Sequence, residues 1–152
     1  MKRIFSAVFI VAVAAASLVL FPASGRPVLA ARKPATCSNA TLTGSYGFSF
    51  NGFDRVSSNS MAYVPFAGAG VVTFDGVGSV TAQFSVSTNG SIGSDPDYTG
   101  TYRVNANCSG EIIATPGSGG DSIAVAVVSS GAEILGSSIS PGNTWAFDAK
   151  KQ

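Results

Sequence analysis

Histidine is missing from all 152 residues of the chain. Its absence removes the side chain that gains and loses a proton near neutral pH, and so excludes His-based acid–base catalysis and His-ligated zinc. Charge is scarce as well: Asp, Glu, Lys and Arg make up 11% of the residues. Without a basic stripe or patch, no nucleic-acid partner is expected. Cysteine occurs only as Cys37 and Cys108, and tryptophan only as Trp145. After residue 31 no ten-residue stretch shows the apolar spacing of an amphipathic helix, so helical folds are excluded too.

What is present begins with one long apolar run. Lys2-Arg3 precede a run from Ile4 to Phe21, and Val28-Leu29-Ala30 places small residues where a signal peptidase reads them. Residues 1–30 are expected to be a secretory signal peptide, cut between Ala30 and Ala31. The small residues from Ala12 to Ser17 weaken the run as a membrane anchor. Pro34-Ala35-Thr36 before Cys37 is not a lipid-attachment pattern, so no stable membrane anchor is expected after cleavage. The mature chain of about 122 residues then holds six basic residues against eight acidic ones. One domain of that size buries roughly 65% of its surface on folding. The expected location is secreted or periplasmic, where two cysteines read as one disulfide, Cys37 to Cys108.

Strand periodicity runs through the mature chain. Leu42, Tyr46, Phe48 and Phe50 alternate with Thr43, Ser45, Ser49 and Asn51. A second strand, near 62–74, places Val64, Phe66, Val72 and Phe74 on one side, with Pro65 marking an edge or bulge and Gly68 and Gly70 allowing a bend. After the turn Asp75-Gly76-Val77-Gly78, Val80, Ala82, Phe84 and Val86 alternate with polar residues up to Asn89-Gly90. A loop through Asp95-Pro96-Asp97 leads to Tyr98, Gly100, Tyr102 and Val104 on one face. Weaker strands near 110–115, 121–129, 133–139 and 143–148 bring the count to eight. The class is all-β, an antiparallel meander of about eight strands. It is expected to close into a small β-barrel over 41–148, with 149–152 as a C-terminal tail; a two-sheet β-sandwich accounts for the same pattern. In a meander, Cys37 and Cys108 lie at the same end but three strands apart. Residues 31–40 must therefore cross that end, giving one plugged end and one open end.

Thr43-Gly44-Ser45-Tyr46 is echoed by Thr99-Gly100-Thr101-Tyr102. A glycine that permits a bend and a tyrosine that fills the space beside it explain both copies. Together with Cys37, Leu42-x-Gly44-x-Tyr46-x-Phe48, Phe74-Asp75-Gly76-x-Gly78 and Cys108, this order resembles a group of small exported bacterial proteins described only as hypothetical. Among calycin-like barrels it is also similar to the strands of avidin-like and lipocalin-like members and resembles allene-oxide-cyclase-like ones in eight-strand architecture without a shared motif, which implies an architecture rather than an activity. Avidin-like barrels place Trp where this chain has Tyr46, a departure that argues against a biotin-type site.

Three functions fit such a chain. The first is a binding module whose open end admits a small apolar or aromatic ligand, walled by Tyr46, Phe48, Phe50, Phe74, Phe84, Tyr98, Tyr102, Trp145 and Phe147, with tyrosine hydroxyls as its oriented polar groups. The second is an envelope or extracellular interaction protein in which the same rings form a solid core. The third is a barrel-type cyclase or isomerase acting by holding a flexible substrate, which needs an interior carboxylate if a proton moves. Glu111 is the one acidic residue within a strand, but its apolar neighbours face the other way. Glu133 and Asp148 fall at strand ends, while Asp54, Asp75, Asp95, Asp97 and Asp121 read as solvated loop or turn residues. No nucleophile–base pair, metal site or cofactor is expected, and no oligomeric state is assigned.

Overall fold

The computed structural model describes residues 36–152, without Ser58, Gly119 and Gly120 and without the side chains of 95–97. The expected leader and its cleavage site at Ala30 and Ala31 lie outside the described residues. Eight antiparallel strands follow in chain order: β1 (Thr43–Arg55), β2 (Tyr63–Asp75), β3 (Ser79–Thr88), β4 (Ser91–Val104), β5 (Ser109–Ala114), β6 (Ile123–Val128), β7 (Glu133–Ser138) and β8 (Thr144–Lys151). Each pairs with the next, and β8 returns to β1 from Tyr46↔Lys151 to Phe53↔Thr144. That last ladder decides between the two expected architectures. A sandwich would leave β1 and β8 as edges, whereas here the meander closes into a barrel with no edge left.

Two boundaries differ from expectation. Residues 149–152 are not a tail. β8 continues to Lys151, Ala149 is fully buried, and the Gln152 N–H donates to the Ser45 carbonyl at 3.0 Å. The two lysines read as a polar end, but β1 needs a partner strand along Tyr46 to Phe50, and β8 supplies it. Nor is Asp95-Pro96-Asp97 a loop. β4 starts directly after the Asn89-Gly90 turn, and the register steps from Ala82↔Tyr98 to Phe84↔Asp95, so that one residue of β3 faces two of β4. A bulge of this kind accepts a proline because no ladder N–H is required of it.

One end is shut by the segment before β1. Cys37 is disulfide-bonded to Cys108, with the Cα atoms 5.0 Å apart. A single 3₁₀ turn, Asn39–Thr41, follows, and Leu42 inserts below it with no exposed surface. Asn39 holds the turn across the barrel: its Nδ2 donates to the Val77 carbonyl at 2.9 Å, and its Oδ1 accepts from the Val104 N–H at 2.8 Å. Beneath lies a solid core of Tyr46, Phe74, Val80, Tyr102 and Ile134, in which Phe74 packs edge-on against Tyr46 and Tyr102 at 5.4 and 5.0 Å. The repeated Thr-Gly-x-Tyr is thus a pair of tyrosines flanking one phenylalanine. Each hydroxyl donates to a backbone carbonyl at the shut end, Tyr46 to Gly131 at 2.6 Å and Tyr102 to Leu42 at 3.0 Å.

The β2–β3 turn is fixed by one carboxylate. Asp75 Oδ1 accepts from the N–H groups of Val77, Gly78 and Ser79 at 2.8, 2.8 and 2.9 Å. These bonds, that of Gly78 foremost, hold its pKa down at about 2. Because the folded value lies below the ordinary 3.8, the carboxylate's contribution to stability is present above pH 3.8 and is lost as pH falls through about 2. Asp75→Ala is expected to lower the melting temperature at neutral pH, and the gap to the native protein should close in thermal scans taken down to pH 2. The disulfide spans 71 residues of sequence. Removing it by Cys37→Ser with Cys108→Ser should cost about 4 kcal/mol in urea unfolding, the loop-closure entropy of a span that long.

Candidate functional site

Inward positions continue from the solid core toward the other end, but there the lumen is hollow. A cavity of about 300 Å³ opens at that end, floored by Val72, Val80 and Ile112 and walled by Phe48, Phe50, Phe66, Phe84, Tyr98, Trp145 and Phe147. Phe50 is the centre of the ring cluster, 5.6 Å from Phe66 and Phe84 and 5.8 Å from Trp145. The space is left by glycines on the inner face. A Cβ on Gly68 would collide with the Phe50 ring, a Cβ on Gly70 would come 2.6 Å from Phe84 Cβ, and one on Gly52 would strike Trp145. The Phe50 ring therefore lies over the β2 backbone, and the chain at Phe84 and at Trp145 approaches the backbone of Gly70 and of Gly52 closely. Gly68 and Gly70 also let Phe50 and the β3 backbone approach β2 closely.

The mouth is polar. Asp121, on the β5–β6 connection, accepts through Oδ2 from Asn143 Nδ2 at 2.6 Å and from Trp145 Nε1 at 2.8 Å. The bond ties two mouth connections together and sets the plane of the indole. Asp54 is the last inward position of β1, following Tyr46, Phe48, Phe50 and Gly52 at the same parity, and it lines the cavity along with Thr88. Both acidic residues were expected on the solvated surface of loops or turns, and both belong to the cavity wall. β1 is longer than its apolar pattern, so Asp54 stays in the strand. The Trp145 N–H needs an acceptor once it leaves water, and Asp121 provides one.

Of the nine aromatic residues expected to wall a pocket, Phe48, Phe50, Phe84, Tyr98, Trp145 and Phe147 do so. Tyr46, Phe74 and Tyr102 belong to the solid core at the shut end. Alternation assigns all nine to the interior correctly and carries no information on depth. Phe66, Asp54, Asp121 and Asn143 join the cavity from outside that list. Phe66 shares the parity of Val72 and Phe74, and Asp54 that of Phe50, so the signal was present for both. The hydroxyls of Tyr46 and Tyr102 are not ligand-facing groups, because backbone carbonyls engage them. Glu111 lies opposite Arg103 on the outer face, as its alternation with the buried Ile112 requires.

Burial pushes the Tyr46 and Tyr102 hydroxyls above their ordinary pKa of 10.0. The folded chain therefore holds these protons more tightly than the unfolded one, and their contribution to stability, complete below pH 10, is lost as pH rises through the folded values. Tyr102→Phe should cost about 1–3 kcal/mol in denaturant unfolding, because the Asn39 and Leu42 carbonyls lose their donor. It should also shrink the loss of stability between pH 10 and higher pH, and leave binding at the far end unchanged.

Comparison with known proteins finds no matching family model, no matching curated protein and no matching solved structure.

Proposed function

We propose that this protein is an exported binding protein that holds a small apolar or aromatic molecule in the hollow half of its barrel. The observation that carries the reading is the cavity of about 300 Å³, with ring-lined walls, a polar rim and a single open end. Its volume falls at the lower limit of the roughly 300–1,000 Å³ typical of ligand sites. A lumen of apolar side chains left unfilled forgoes packing contacts that a ligand would restore. The calycin-like architecture supports the same reading by analogy, since such barrels present their mouths to ligands. Export is supported by the Lys-Arg and apolar leader pattern and by the disulfide, which belongs to an oxidising compartment.

N-Phenyl-1-naphthylamine, a neutral apolar fluorophore of suitable size, tests it directly. The protein is expected to enhance the fluorescence of the dye and to show energy transfer from Trp145, the sole tryptophan, which lines the cavity. Val86→Trp fills the lumen near its mouth and should abolish the enhancement while the circular-dichroism melting curve holds. Absence of any dye response in the native protein, together with a bare mass for material taken from its natural source, would overturn the proposal.

A further inference from the structure

We infer that the hollow half of the barrel is a ruler: it takes a linear apolar molecule tail first and sets a fixed limit to its length at Val80 and the residues beside it. The inference rests on the binding reading above and adds the orientation and length of the ligand. One strand runs the whole depth of the site. Val80, Ala82, Phe84, Val86 and Thr88 are successive inward positions of β3, and all of them line the cavity. The eight residue steps from Val80 to Thr88, at ~3.3 Å each and a barrel tilt of ~40°, make the site roughly 20 Å deep from floor to rim. A volume of about 300 Å³ drawn out over that depth is one chain wide, so a larger ligand must be a longer one.

The floor is set by strand register. Val72, Val80 and Ile112 are the cross-strand partners of Tyr46, Phe74 and Tyr102, the three rings of the solid core. Phe74 is packed between the two tyrosines, whose hydroxyls are bonded to backbone carbonyls at the shut end. A tail that pressed deeper would have to displace close-packed rings and break those bonds, so the floor does not yield. Polar groups mark the other end: apart from Tyr98, the polar side chains of the lining are Asp54, Thr88, Asp121 and Asn143, at the mouth. A polar head stays there, and burial of the tail supplies the affinity, about fourfold per methylene until the tail meets the floor. Val80 is the adjustable part of that floor. Its partner on β4 is Gly100, where a Cβ would come 3.3 Å from Val80 Cγ1, so on that side the space beyond Val80 is bordered by bare backbone and not by a second side chain.

Displacement of N-phenyl-1-naphthylamine by the straight-chain 1-alkanols from hexanol to tetradecanol, each below its solubility limit, varies length under one neutral head. Affinity is expected to rise about fourfold per carbon and then to level off or fall beyond roughly twelve carbons, the extended length that the depth accommodates. In Val80→Ala the break should move to chains about one or two carbons longer, matching the two methyl groups removed. Val72→Ile, which removes nothing from the core and keeps the test open if Val80→Ala does not fold, should move the break to shorter chains. Damage to the fold alone would lower every affinity and leave the break where it was. A rise that continues unbroken to tetradecanol, a break that stays in place in a folded variant, or a bound dye that no alkanol displaces would overturn the ruler and leave the apolar binding site standing. If neither the dye nor, by Trp145 emission, any alkanol binds, the binding reading falls and the ruler falls with it.

Discussion

The rest of the structure depends on the short segment that crosses the shut end. In an eight-strand meander the connections alternate between the two ends, and the three that fall at the shut end are each bonded to this region. The β2–β3 turn gives the Val77 carbonyl to Asn39, and the β4–β5 turn gives the Ala106 carbonyl to the Cys37 N–H and its Cys108 to the disulfide. The β6–β7 turn gives the Gly131 carbonyl to the Tyr46 hydroxyl. Gly131 also lies so close beneath Thr41 that a Cβ there would strike the Thr41 carbonyl. A segment that satisfies backbone groups in two of the turns it covers and packs against the third is fixed in position, and Leu42 carries that fixation into the core.

With one end held this firmly, the other can remain unfilled. A void in a protein interior costs packing energy in proportion to its size, so a hollow half is tolerated only where the solid half supplies the stability. The division between them follows where small residues fall on the inner face. Gly52, Gly68 and Gly70 lie opposite residues with bulky rings on neighbouring strands, and the Phe50 ring settles over the backbone that Gly68 leaves bare. At the shut end the corresponding inner positions of β1, β2 and β3 are Tyr46, Val72, Phe74 and Val80, whose side chains meet in the middle. One barrel thus holds a core and a cavity by distributing ring and glycine along the same strands.

That distribution explains what could be read from the sequence and what could not. Alternation at period two placed Tyr46, Phe48, Phe50, Phe84 and Phe147 inside, and tight-turn residues marked most of the connections; two cysteines three strands apart implied a crossing segment. Depth along the barrel is set by the register between strands, which alternation does not encode, so Tyr46 and Phe50 looked equivalent although one is packed solid and the other borders open space. The bulge opposite Gln83 was hidden for a related reason. Asp95-Pro96-Asp97 is turn-like in composition, and only the demand of β3 for a partner keeps it in a strand. Asp121 was unreadable as a site residue, since its role depends on an indole 24 residues away.

The mouth lies at the end of the remaining connections, those after β1, β3, β5 and β7, opposite the segment that fixes the shut end. Their chemistry can therefore be set with little effect on the core: β5–β6 contributes Asp121, β7–β8 contributes Asn143, and the last inward position of β1 contributes Asp54. Asp121 links two of these elements through Asn143 and Trp145, so a carboxylate of the rim also positions the largest ring of the wall. Polarity and shape at the opening are for that reason coupled: replacing the carboxylate also releases the indole that forms one side of it. Asp54 is placed instead by the β1 ladder, opposite Val64 of β2. The two carboxylates reach the same rim by different routes, one through strand register and the other through bonds to an indole and an amide.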